Sequence, residues 1–449
     1  MALLIFGWPG VALYDTLRQF GQMRGGAYDD WHPPVMARLW SGFDAAGLHG
    51  TGPLFALQVV LFFAGLTLFA AALPQLRPVV AAAAAVVLLI PADWITVVVK
   101  DAQMVGALTA ATGIVAWYRL RARPLPGIAV GGVALLLTYA VLVRANAVFG
   151  VVPLACVWAG WGWVRHPAAR AALMLAGMLA VLAVSPLVNH RLLGARASHV
   201  ERVLPLYDLA GIAHFGGVAT LPRLPAVRWR EAEAKQCYSP YRWDDYGDAY
   251  RCGYVADAVG IDSGHGAPVI GEWLRAVVAH PLAYARHRLG QFNATMRWIV
   301  PFGQPNAAAP PDSQPNRLGL GRRADPVLKG VAAAFRAVAA TPFGWPAVWL
   351  AASLGLWWTA AGTPRSAPRD MALALALSAA LMSLSFAVVS IASDLRYHLW
   401  AMVAATLGGS ALAAADGVPR RRVAIAGIGT AAVAAAGMVA RLTLVPGTW

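Results

Sequence analysis

Residues 52–74 read GPLFALQVVLFFAGLTLFAAALP, a run without a single charged side chain. A helix needs about 20 such residues to cross the ~30 Å hydrocarbon core of a bilayer. Working outward from it, comparable runs lie near 78–98, 103–118, 126–143, 147–163, 171–187, 343–360, 371–392, 398–415 and 423–441. The composition agrees. Of 449 residues, 59% are hydrophobic and only 13% charged, with a mean hydropathy of +0.58, whereas a soluble domain carries about 25% charged residues. The expected fold class is an all-α polytopic membrane protein of about 10–11 transmembrane helices, residues 1–8 being read as the end of a first, partial span. That stub has neither the basic start nor the small-residue cleavage site of a secretory signal.

Basic residues orient the spans. Arg77, then Arg119, Arg121 and Arg123, then Arg165 and Arg170, then Arg365 and Arg369, then Arg420, Arg421 and Arg422 fall in alternate loops, which marks those loops as cytoplasmic. The opposite side then holds residues 9–50, the turns at Lys100–Asp101, Arg144–Asn146 and Ser393–Tyr397, and the long segment 188–342. In a bacterium this side of the inner membrane is periplasmic. The expected organisation is an N-terminal transmembrane module over 1–187 with a chemically loaded first loop at 9–50, a loop domain of mixed secondary structure over 188–342, and a C-terminal transmembrane module over 343–449. Within 188–342, the run 271–292 alternates apolar and basic residues as a helix along the membrane surface would, and 303–325 has loop composition. Cys237 and Cys252 can pair there if the segment is extracytoplasmic; Cys156 lies in an apolar run. The net charge of +15 is carried by scattered arginines with no basic domain, so membrane lipids are expected neighbours and nucleic acid is not.

Every unusual charged motif falls on the one face. YDTLRQFGQMRGGAYDDWHPPVMARLW, residues 14–40, places Asp15, Asp29, Asp30 and His32 just past the first apolar stretch, with Pro33 and Pro34 stiffening the backbone. Ionisable residues beside a bilayer are costly unless they serve a partner or a substrate. Lys100, Asp101, Arg144, Asp394, Arg396 and Tyr397 stand where one span hands over to the next. Each has a plainer role available: an N-cap for Asp15, a helix-entry turn for DDWHPP, local ion pairs for the rest. Together they place cations suited to a lipid-linked phosphate beside carboxylates suited to taking a proton. Asp15, Asp29, Asp30 and His32 are therefore the catalytic candidates. Lys100, Asp101, Arg144, Asp394, Arg396 and Tyr397 are the donor-phosphate candidates.

That pairing fits transfer of a sugar from a polyprenyl phosphate by single displacement, inverting the anomeric centre. The chain has no GxGxxG or GxxxxGK[ST] loop, HExxH motif or CxxC pair. Whether a metal takes part stays open; if one does, magnesium or manganese would lie on Asp15, Asp30 and His32. Competing classes are a transporter or flippase of a lipid-linked saccharide, and a glycan polymerase or ligase.

The order of WPG at 8–10, YDT at 14–16, DWHPP at 30–34, the KD turn, the RAN turn at 144–146, LYDLAGIA at 206–213, EWLRAVVAHPLAYARHRL at 272–289 and SDLRYH at 393–398 resembles the GT-C superfamily of polytopic glycosyltransferases. These include the protein O-mannosyltransferases and the lipid A aminoarabinose transferases. The resemblance implies a catalytic acid at Asp15, a second acidic site at Asp29 or Asp30 beside His32, and donor-phosphate contacts from Lys100, Arg144 and Arg396. It implies an undecaprenyl-phosphate sugar as donor and a lipid, glycan or protein acceptor in the cell envelope. Thr16 stands where the pattern has Ser and keeps the hydroxyl.

Overall fold

The computed structural model describes residues 2–160, 166–221, 224–261 and 269–445; Arg165 and the end of the 147–163 run lie outside them. The protein is all-helical, about 70% helix. Among the described residues there is no strand, only isolated bridges joining Val11 to Val97, Asp29 to Arg196 and Arg242 to Ala392. Among the described residues, four helices are long and apolar enough to cross a membrane: Gly52–Ala71, Pro167–Leu192, Ala367–Val389 and Arg420–Thr443. Pro78–Val87, Gly127–Val143 and Ala145–Ala159 are apolar but shorter. The run 78–98 is not one span. It is interrupted at Leu88, and residues 95–99 leave the helix to meet Val11.

Small residues set the helix packing. Gly52–Ala71 lies along Lys100–Arg119, and a Cβ on Gly65 would stand 2.3 Å from Thr109 O, one on Gly113 2.3 Å from Gly65 O. Backbones approach this closely only where side chains are absent. Buried amides fix the register. Gln58 Nε2 donates to Ile95 O and Val97 O at 2.6 and 2.9 Å, Gln103 Nε2 donates to Gln58 Oε1 at 2.8 Å, and Tyr139 OH donates to Gln103 Oε1 at 3.0 Å. This network grips the first turn of Lys100–Arg119, where the charged pair Lys100–Asp101 begins the helix. On the other side, Trp400 Nε1 donates to Ser378 Oγ, which donates to Gly150 O.

Segment 188–342 has its own apolar core, including Leu206, Tyr207, Trp229, Tyr246, Val255 and Ile261. Its expected mixed structure is corrected: the described part consists of helices and turns, with Cys237 and Cys252 joined by a disulfide. The run 271–292 is also corrected. It is two helices, Ile270–Ala279 and Pro281–Met296, because Pro281 cannot continue the first and instead starts the second. The second is not a surface helix throughout, since His287 and Arg288 are buried against Asp208, at 3.2 and 2.5 Å. The loop 303–325 is pinned to the chain's beginning: Ser313 Oγ accepts from Ala12 N, Gln314 N donates to Ala12 O, and Ala309 N donates to Asp93 Oδ2.

Candidate functional site

The site starts from the bridge between Val11 and Val97. Val11 N donates to Thr96 O and Val98 N to Val11 O, both at 2.9 Å. Gly10 makes this approach feasible. It has φ +90°, and a Cβ there would stand 2.6 Å from Val98 Cγ2, so the last residue of WPG must be glycine. Three residues past Leu13, the Thr16 hydroxyl accepts from Leu13 N at 3.0 Å and donates to Val98 O at 2.6 Å. The first turn of helix Tyr14–Gly25, carrying Asp15, is thereby set against the start of Lys100–Arg119. Pro33 and Pro34 lead into helix Val35–Ala45. Just before them His32, only 4% exposed, holds Nδ1 3.1 Å from Lys100 Nζ.

Two arginines complete the cluster. Arg144 ends helix Gly127–Val143, and Arg396 lies in the turn before Leu399–Ala413. Asp101, fully buried, lies 2.9 Å from Arg144 Nη1 and 3.7 Å from Arg396 Nε. Arg396 also reaches Asp394 Oδ2 through Nε at 3.0 Å and Asp15 Oδ2 through Nη1 at 3.1 Å. The Arg144 guanidinium sits 4.3 Å from the centre of the Tyr397 ring, a cation–π contact. Asp15, His32, Lys100, Arg144, Asp394, Arg396 and Tyr397 all line one cavity of about 980 Å³, and Asp15, Asp394 and Arg396 also line a second of about 880 Å³.

The electrostatics follow from burial and charge. Burial alone would raise the Asp15 carboxyl, but Arg396 and Lys100 outweigh it and hold it well below the usual carboxylate range. Burial lowers Lys100 to about 8; Asp15 offsets part of this and Arg144 adds to it. Burial, then the neighbouring Lys100 ammonium, lowers His32 to about 3. His32 is thus neutral at physiological pH. With Nδ1 accepting from Lys100, its proton sits on the buried Nε2, which has no hydrogen-bond partner among the described residues.

Asp29 and Asp30 do not join this group. Asp29 Oδ1 accepts from Trp31 N at 3.1 Å, a local turn. Asp30 accepts from Ser198 N and Ser198 Oγ at 2.7 and 2.6 Å and lies 3.2 Å from His190 Nε2. Asp30 therefore joins residues 28–31 to the start of segment 188–342. For the same reason Asp15, Asp30 and His32 do not fit a metal ion: Asp30 is committed elsewhere, and the described residues hold no group of three His, Cys, Asp or Glu side chains placed for one.

Other residues complete the surroundings. Arg297 Nη2 donates to Pro305 O, Asn306 O and Ser393 O, and Asn306 Nδ2 donates to Asp394 Oδ1. The loop 303–306 is thus tied to the turn carrying Arg396. Trp31, Tyr241, Trp243 and Asp244 also line the larger cavity. Trp31 belongs to DWHPP; Tyr241, Trp243 and Asp244 are identified by position alone, the disulfide spacing being the one sequence signal near them. No protein-family model, curated protein or solved structure matches this chain.

Proposed function

We propose that this protein is a polytopic membrane glycosyltransferase of the GT-C type, which moves a sugar from a polyprenyl-phosphate donor to an extracytoplasmic acceptor with inversion. The observation that carries this is the sharing of Arg396 between Asp15, Asp101 and Asp394 at the edge of a large cavity, with Lys100, Arg144 and Arg18 also lining it. Arginine forks and an ammonium suit phosphate oxygens. The setting is a bacterial inner membrane with the site on the periplasmic face, a reading supported by the alternation of basic loops and by the disulfide between Cys237 and Cys252.

The shared arginine gives a mechanism. In the free protein Arg396 keeps Asp15 ionised and weakly basic. A donor phosphate competes for that guanidinium and brings negative charge close to Asp15. Both changes raise the proton affinity of Asp15, so it becomes an effective base only once donor is bound. The acceptor oxygen then attacks the anomeric carbon and its proton passes to Asp15. The bond from the anomeric carbon to the phosphate oxygen breaks, its electron pair stays on the phosphate, and Lys100, Arg144 and Arg396 stabilise the charge that develops there.

The test is transfer by purified protein from a panel of labelled polyprenyl-phosphate sugars, with and without chelator. Asp15→Asn keeps the shape and removes the base. The expected result is a folded protein without transfer. Wild-type rates in that variant refute the assignment.

A further inference from the structure

The larger cavity has two chemically different sides. Lys100, Arg144 and Arg396 lie toward the helix ends. The other side carries Trp31, Tyr241, Trp243, Asp244, Asp248 and Asp257, four of them from the loop closed by Cys237–Cys252. This loop is not loosely attached. Trp243 N donates to Ile391 O at 3.1 Å and Ser393 Oγ donates to Tyr241 O at 2.7 Å. It is thus fastened to the residues immediately before Asp394 and Arg396, and its position relative to the reacting group is fixed.

Two features of that side call for a ligand. The rings of Trp31 and Trp243 stand 5.7 Å apart at 47°; Trp243 is 9% exposed in the apolar core of segment 188–342 and Trp31 is half-buried against it, and what each leaves open lines the cavity. Asp244 lines both cavities at their junction with Asp15, Asp394 and Arg396. Asp15 and Asp394 are both bound to Arg396, and Asp245 to Arg251 at 2.6 Å. Among the described residues no ion pair reaches Asp244; its carboxylate accepts from its own backbone N–H, with Arg242 nearby, and its remaining lone pairs are open to a donor. A saccharide is the ligand that uses both features: its C–H faces pack on indole rings, and its hydroxyls donate to carboxylates. An extended peptide fits less well, because the backbone edge it would pair with is already taken by residues 391–392. An acyl chain would meet carboxylates where it needs apolar surface.

We propose that the side formed by Trp31, Trp243 and Asp244 is the acceptor subsite and that it takes a saccharide. As an acceptor subsite it rests on the transfer reaction proposed above; as a saccharide site it does not. A sugar held against Trp31 and Trp243 with one hydroxyl on Asp244 has its neighbouring hydroxyls on the side of Asp15, where the donor's anomeric carbon is delivered.

The experiment uses the full chain in detergent on an array of immobilised oligosaccharides, with a matched set of serine- and threonine-containing peptides and with no donor present. Wild type should bind a subset of the saccharides saturably. Asp244→Asn and Trp31→Leu should each weaken that binding about tenfold, the effect of losing one strong contact, while Asp244→Asn unfolds in detergent at the wild-type midpoint. Asp244→Asn, which keeps the side-chain shape, decides the matter if Trp31→Leu fails to fold. The proposal is overturned if wild type binds no saccharide, if neither substitution changes the binding, or if peptides bind instead and lose affinity with the same substitutions. Polyprenyl-phosphate binding by wild type, measured without glycan, scores the donor reading separately, so the two failures are distinguishable.

Discussion

Replacing Asp101 with Asn tests the cation cluster most directly. Asp101 is fully buried and stands between Arg144 at 2.9 Å and Arg396 at 3.7 Å. Asn fills the same space without the charge. Arg396 keeps Asp15 and Asp394; among the described residues Arg144 keeps the face of Tyr397, a contact of about 0.5–2 kcal/mol. Removing one partner of a buried pair costs about 3–5 kcal/mol. Both guanidiniums touch the cavity, 13% and 11% exposed, and water there lowers the expectation to about 3 kcal/mol. The loss should be recoverable. A phosphate monoester such as farnesyl phosphate supplies the missing negative charge, so it should bind the variant about tenfold more tightly than wild type. At saturating ligand the variant then gains about 1.4 kcal/mol more than wild type does. Unfolding in detergent, with farnesol as the uncharged control, measures this. Equal stabilisation of both proteins by farnesyl phosphate, or more of wild type, means that Arg144 does not face the phosphate, and the clamp is wrong.

The other predictions are briefer. For the donor, kcat/KM should fall as pH rises through about 8, where the Lys100 ammonium of the free protein is lost; Lys100→Arg should hold its rate to higher pH, and an unchanged profile rejects Lys100 as a phosphate ligand. Lys100 has the opposite effect on stability. Its folded value lies below the unfolded 10.5, so the unfolded chain binds more protons between about 8 and 10.5 and this group's contribution rises with pH across that window. Acid acts through His32: its folded value of about 3 against 6.5 unfolded means stability is lost as pH falls from about 6.5 toward 3, and His32→Gln should lessen that slope in acid titrations of unfolding. Opening the Cys237–Cys252 bridge, which closes 15 residues, should cost about 3 kcal/mol and impair acceptor use before donor binding; a thiol titration finding both cysteines free in native protein removes the premise. Asp30→Ala should destabilise the contact with Ser198 and His190 by about 2 kcal/mol yet leave transfer per folded molecule intact, and loss of transfer without loss of stability would return Asp30 to the catalytic group.

The sequence announces the helices and the charged turns because both are governed by the cost of polarity in a bilayer. An uninterrupted run such as 52–74 has one economical environment, and a charged pair such as Lys100–Asp101 at a helix start has to be solvated or partnered. What the sequence leaves open is the choice of partner. Asp29 and Asp30 sit beside His32 in the chain, and proximity suggests a shared role. Yet Asp30 is bound by Ser198, 168 residues away, and Asp29 by the next turn of its own backbone. Reading 271–292 as a single helix passed over Pro281, which a helix interior does not admit and which divides the run into two helices; the burial of His287 was not legible either, since it depends on Asp208 in another helix. The same rule governs Arg396. Its type and its place in SDLRYH point to phosphate, but only the fold puts Asp15, Asp101 and Asp394 on one guanidinium. In the proposed reaction that shared contact would couple two events that the sequence lists separately: a phosphate able to displace Asp15 from Arg396 would be held and, by the same displacement, would strengthen Asp15 as a base. A site with separate counter-ions for each acid would bind donor equally well and would lack that coupling.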